Sequence, residues 1–161
     1  MRKFVFALGI TALSSSAFAG NEEIVGTWKL VSSQRKIVAT GATVDTYGAN
    51  PRGWIMYGPD NRVMVLILRS DRPKPESLDK MTDQQRADLF RSMLAYTGTF
   101  KFEGGSIEHH VDGAWNEVWT GRLIKNTAKK DGDRVVYTTP PVPFSGDGSI
   151  SITTLTWERM K

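Results

Sequence analysis

The chain of 161 residues contains no cysteine. Disulfides, thiolate metal sites, a cysteine nucleophile and a lipid-modified N-terminal cysteine are therefore excluded. Histidine is scarce: His109 and His110 are the only two, and they are adjacent. A zinc site would have to be completed by carboxylates, since no third histidine or thiolate exists. No metal or cofactor site is expected. There is no Gly-x-Ser-x-Gly nucleophile motif and no glycine loop able to cradle phosphate. No long block of like charge occurs, and the net charge of +4 is too small and too dispersed for a nucleic-acid surface. No apolar run approaches the roughly 20 residues that a membrane-spanning helix needs.

The N-terminus is distinctive. Arg2 and Lys3 precede an apolar run from Phe4 to Leu13, and Ala17-Phe18-Ala19 fits a small-x-small cleavage pattern. Residues 1–19 read as a cleavable signal peptide cut after Ala19, which predicts a periplasmic or secreted product. The remainder, 20–161, reads as one domain. It has no disulfide to hold it, so its stability depends on its core.

Beyond the signal, the chain is a series of short β-runs punctuated by turn signals. Ile24, Gly26, Trp28 and Leu30 alternate with Thr27 and Lys29, the period of a half-buried strand. Gly58-Pro59-Asp60-Asn61, Gly104-Gly105 and Asp131-Gly132 each separate two such runs and predict hairpins. RVMVLILR (62–69) is apolar on both faces, which predicts a well-covered strand. The alternation shifts near Thr153-Thr154, a candidate bulge. One segment differs. Thr82–Tyr96 carries a capping-box pair, Thr82 and Gln85, and an apolar stripe of Ala87, Phe90, Met93 and Leu94, with Gly98 as a stop. It predicts one inserted helix, packed on the sheet or acting as a lid. The expected fold is all-β: a closed or nearly closed antiparallel barrel of 8–10 strands with a helix at about 82–96.

Particular stretches carry a resemblance. They are GTWKLVS (26–32), NPRGWIMYGPDNRVMV (50–65), YTGTFKFEGGSIEHHV (96–111), WTG (119–121), DGDRVVYTTPP (131–141) and LTWERMK (155–161). In order and nearly throughout the mature chain, they resemble the lipocalin-like domain family, small stand-alone barrels of the lipocalin/calycin superfamily. The resemblance implies that Trp28 packs at the closed end of the barrel against a basic residue of a late strand, for which Arg159 is available. It also implies an internal cavity. Asn126 stands where such domains often carry arginine.

Neighbours on a strand point to opposite faces. His109 thus shares a face with Ile107 and Val111, and His110 shares one with Glu108 and Asp112. His109 is expected inside the barrel and His110 outside, an arrangement that cannot chelate one ion from one side. The candidate ligand-binding residues are His109, Arg69, Tyr57, Tyr137 and Trp119. Arg69 continues the Val63, Val65, Ile67 face toward the barrel mouth. The expected function is binding of a small, mostly apolar molecule by an exported lipocalin-like protein of unassigned oligomeric state. The alternative is a cofactor-free isomerase or cyclase acting on an apolar substrate, with His109 as acid and base. No catalytic motif favours the enzyme.

Overall fold

The computed structural model describes residues 19–161, so the predicted signal segment, except Ala19 at its edge, lies outside the described residues. In β4 (Arg62–Leu68), Val63, Val65 and Ile67 are buried while Met64 between them is half exposed. The same two-residue period runs through β1 (Gly26–Ile37), β3 (Arg52–Tyr57), β5 (Met93–Glu103) and β6 (Ser106–Ala114). It continues in β7 (Leu123–Asp131) and β8 (Arg134–Thr138), while β10 (Ile150–Arg159) buries Ser151 and Trp157 and half-buries the residues between them. A sheet with one apolar face buries it by closing on itself, which also removes its edges. Each of these strands pairs antiparallel with the next, and β1 pairs with β10 from Trp28↔Arg159 to Ile37↔Ser151. The result is a closed eight-stranded antiparallel barrel. Two short strands, β2 (Thr43–Asp45) and β9 (Val142–Pro143), add to the outer edges of β1 and β10.

The three predicted hairpin turns link β3 to β4, β5 to β6 and β7 to β8. Gly104 and Gly105 both have positive φ, the conformation a tight two-residue hairpin demands. The closed end follows the expected plan. The Arg159 guanidinium lies 4.3 Å from the Trp28 ring centre and donates to the Val25 and Glu23 carbonyls. Gly26 has φ of +128°, a backbone conformation that favours glycine, and a Cβ there would displace the Arg159 guanidinium 2.8 Å away. Before β1, the short helix α1 (Ala19–Glu22) holds this end through Asn21, whose Oδ1 accepts from the Phe102 amide.

Three expectations are corrected. The helix, α2, covers only Asp83–Arg91, although Thr82 and Gln85 form the predicted capping box. Residues 93–96 belong to β5 instead, where Met93–Tyr96 pair with Val65–Leu68. The ladder offers these residues bonds along a preformed edge, and that outweighs helical propensity. Gly98 is therefore no helix stop. A Cβ there would fall 2.1 Å from the His110 carbonyl oxygen, a close strand approach at a register shift. Second, α2 has no fully buried residue: of its apolar stripe, Ala87 is half-buried and Phe90 rests on Trp115, while Met93 and Leu94 belong to β5. The outer face of β4 is only partly covered: Leu66 and Leu68 are half-buried, while Met64 is exposed beside Met56 on β3. Third, the bulge lies on β1 between Leu30 and Ser32, and β10 runs through Thr153-Thr154 without interruption.

Candidate functional site

The period-two pattern delivers His109 to the barrel interior, where it is 3 % exposed, and leaves His110 on the outer wall. Both His109 nitrogens are engaged. Tyr96 Oη lies 2.8 Å from Nδ1, and Tyr57 Oη lies 2.9 Å from Nε2. Tyr57 Oη is in turn 3.0 Å from Tyr137 Oη. Strands β3, β5, β6 and β8 thus each supply one member of a continuous chain, Tyr96–His109–Tyr57–Tyr137. Phe100 packs edge-on against Tyr57, with ring centres 4.6 Å apart. The chain's four tyrosines include Tyr47, which packs against the same core from the segment between β2 and β3.

Burial sets the protonation states. It holds the His109 pKa down to about 3, so the ring is neutral at physiological pH. It raises the pKa of Tyr57, Tyr96 and Tyr137, and Tyr57 is raised further by Tyr137. Burial raises Tyr47 as well. Every member is a neutral group with one hydrogen to donate and lone pairs to accept. A linear chain of this kind has one more hydrogen than it has bonds. If Nδ1 carries the ring hydrogen, the Tyr96 hydroxyl hydrogen is left over. If Nε2 carries it, the spare hydrogen lies on Tyr57 or Tyr137. The cluster therefore always has one hydroxyl hydrogen that its own three bonds do not use.

An aromatic row connects this cluster to the barrel mouth. The Tyr96 ring stacks on Trp119 at 6.1 Å and 25°; Trp119 meets Trp115 at 5.3 Å, and Trp115 meets Phe90 of α2 at 6.1 Å. Trp115 Nε1 donates to the Phe90 carbonyl. Exposure rises outward, from Tyr96 at 8 % to Phe90 at 44 %.

A family model described as a lipocalin-like domain matches residues 25–160. The chain belongs to the lipocalin-like domain family. A search of curated proteins finds no match. Within this lipocalin-like barrel, the predicted candidates divide. His109, Tyr57 and Tyr137 meet directly, and Trp119 joins them through Tyr96. Arg69 does not: at the rim beyond β4 it makes two bonds to Asp71, at 2.8 and 2.9 Å. Asn126 is half-buried, on the inward row with Ile124 and Ala128 and opposite Ile107.

Two groups escaped sequence reading. Tyr96 falls within the stretch of helical patterning; its alternation with Gly98, Phe100 and Phe102 is the signal that places it inside. Arg35, 8 % exposed on the inner face of β1, donates to both carboxylate oxygens of Asp147 at 2.9 Å and to Ser149 Oγ. Its guanidinium also lies 4.1 Å from the Phe144 ring centre, so Phe144–Ser149 is tied to the barrel end. That partner is more than a hundred residues away in sequence, and no local pattern foretells it.

Proposed function

We propose that the chain is an exported lipocalin-like protein, processed after Ala19, that binds a small, mostly apolar molecule in its barrel. The ligand enters past α2 along the Phe90–Trp115–Trp119 row, and the Tyr96–His109–Tyr57–Tyr137 chain orients it by donating to one of its oxygens. One observation carries this reading: a fully buried chain of neutral donors, always one hydrogen in excess, ends at an aromatic row that becomes more exposed outward. Small-molecule pockets combine mainly apolar walls with a few oriented polar groups. A neutral carbonyl or hydroxyl oxygen suits the site better than a carboxylate, because Arg35, the buried cation of the inner wall, is already paired with Asp147.

The alternative, a cofactor-free isomerase or cyclase, needs a proton acceptor. His109 has both nitrogens bonded to hydroxyls and a pKa near 3, so it is a weak base, and the tyrosines stay protonated. These properties favour binding over proton transfer.

Native mass spectrometry of the protein purified gently from its own cells tests both parts of the proposal. The expected protein mass is that of Gly20–Lys161, with a reproducible extra mass lost on denaturation. A mass that includes residues 1–19 would refute export. A ligand-free mass, together with no melting shift across a panel of apolar carbonyl compounds, would refute the binding role. A true ligand at a hundredfold excess over its dissociation constant stabilises by about 2.7 kcal/mol.

A further inference from the structure

Outside the barrel, the segment after β4 passes between the end of β3 and α2 and leaves two adjoining clefts. The first, about 240 Å³, is lined by Arg69, Asp71, Arg72, Asp88, Arg91 and Ser92 among others. The second, about 660 Å³, is lined by Arg52, Ser70, Arg72, Lys74 and Leu89 with two prolines. Their electrostatics differ. In the first, Arg69 pairs with Asp71 at 2.8 Å and Arg91 with Asp88 at 3.6 Å. No carboxylate lines the second. Arg52, Arg72 and Lys74 face it, and none of them enters an ion pair among the described residues.

Arg72 lines both clefts, and its Nη1 is buried without a hydrogen-bond partner among the described residues. A guanidinium N–H withdrawn from water with no acceptor is costly, and native structures rarely leave one. With a turn of the Arg72 side chain, an anionic oxygen in the cleft would supply that acceptor, and it would meet three cations with no carboxylate among them. A single carboxylate neutralises only one of them. A phosphate offers up to two negative charges and three oxygens, enough to accept from the planar Arg72 fork and from the flanking cations together. Leu89, Pro73 and Pro75 provide apolar surface beside it.

We infer that the cleft between Arg52, Arg72 and Lys74 binds the phosphate group of a small soluble phosphate ester, whose organic part rests on Leu89 and the two prolines. The inference uses no residue of the barrel interior and does not depend on the proposed barrel ligand.

The test is a titration of the ¹⁵N-labelled full-length protein with inorganic phosphate, glycerol phosphate and acetate at low ionic strength, followed by amide NMR. The expected result is saturable shifts at the amides of residues 70–72, 74 and 89–92, tighter for both phosphates than for acetate, with Lys129 and Lys130 unmoved. Arg72→Gln should weaken phosphate binding about tenfold, the scale of one lost charge-assisted hydrogen bond. Arg72→Lys should fall between the two, because it keeps the charge and loses the fork. If Arg72→Gln does not fold, Arg52→Gln provides the same comparison. Tyr96→Phe should leave phosphate binding unchanged, which separates this site from the barrel reading. Shifts that spread evenly over the basic surface without saturating would overturn the inference. So would acetate binding as tightly as phosphate, or a folded Arg72→Gln that binds like the parent.

Discussion

Around His109, three tyrosine hydroxyls and an imidazole meet where solvent barely reaches, each held by partners at 2.8 to 3.0 Å. At the rim beyond β4, guanidinium and carboxylate groups also gather, yet the Arg69 and Asp71 side chains are 43 % and 63 % exposed. Both regions are polar, and solvent treats them in opposite ways. Around His109, desolvation selects the neutral form of the imidazole and the tyrosines, and hydrogen bonds link them. At the rim, water already solvates the charges, so most ion pairs there add little and the unpaired cations remain available to a ligand. The same chain thus offers an uncharged donor inside the barrel and a cationic cleft outside it.

That contrast can be broken experimentally. The largest effect should come from Tyr57→Phe, which removes two bonds at the centre of the interior chain and strands His109 Nε2 and the Tyr137 hydroxyl. With each of the two unsatisfied buried groups costing about 1–3 kcal/mol, urea unfolding should show a loss of about 2–6 kcal/mol. A neutral result would mean that the interior bonds count for no more than those at the rim.

A smaller effect should appear with pH. The His109 pKa is about 3 in the folded protein against an ordinary 6.5. Below pH 6.5 the unfolded chain takes up a proton that the folded chain refuses, so stability falls as pH falls, until about pH 3. Between pH 6 and 5 the expected loss is about 1 kcal/mol, and His109→Gln should flatten it. Asp71 and Asp147, whose carboxyls are held below their ordinary range by Arg69 and Arg35, lose their contribution only at more acidic pH. An acid slope unchanged in His109→Gln would show that the ring is not desolvated as described.

The smallest effect sharpens the comparison from the other side. Arg69→Ala removes an exposed pair of neighbouring residues, and the urea midpoint should not move measurably. A clear loss would mean that the rim pair braces the barrel mouth.

Much of the fold is legible from local chemistry. Period-two alternation separates His109 from His110, turn residues announce three hairpins, and Gly26, Trp28 and Arg159 mark the closed end. These readings succeed because each depends on a few adjacent residues or on a recurring motif. Tyr57 and Tyr137 are readable as interior tyrosines, though not as partners. Tyr96 is missed because Thr82–Tyr96 satisfies helical patterning throughout. Arg69 is expected to extend the inward face of its strand, but β4 ends at Leu68 and Arg69 bonds to Asp71 beyond it.

What the amino-acid sequence determines by itself is the alphabet of the site: neutral rings on inward positions, no thiol, one interior histidine, and an all-β chain with family motifs from end to end. Tertiary structure alone decides where the helix ends, that Val31 bulges from β1, that Arg35 finds Asp147, and that four strands aim their polar rings at one another. The physical reason is range. Strand period and turn geometry are settled among neighbours within a few residues, whereas a hydrogen bond between Tyr57 and Tyr137 spans 80 positions and exists only once the barrel has closed.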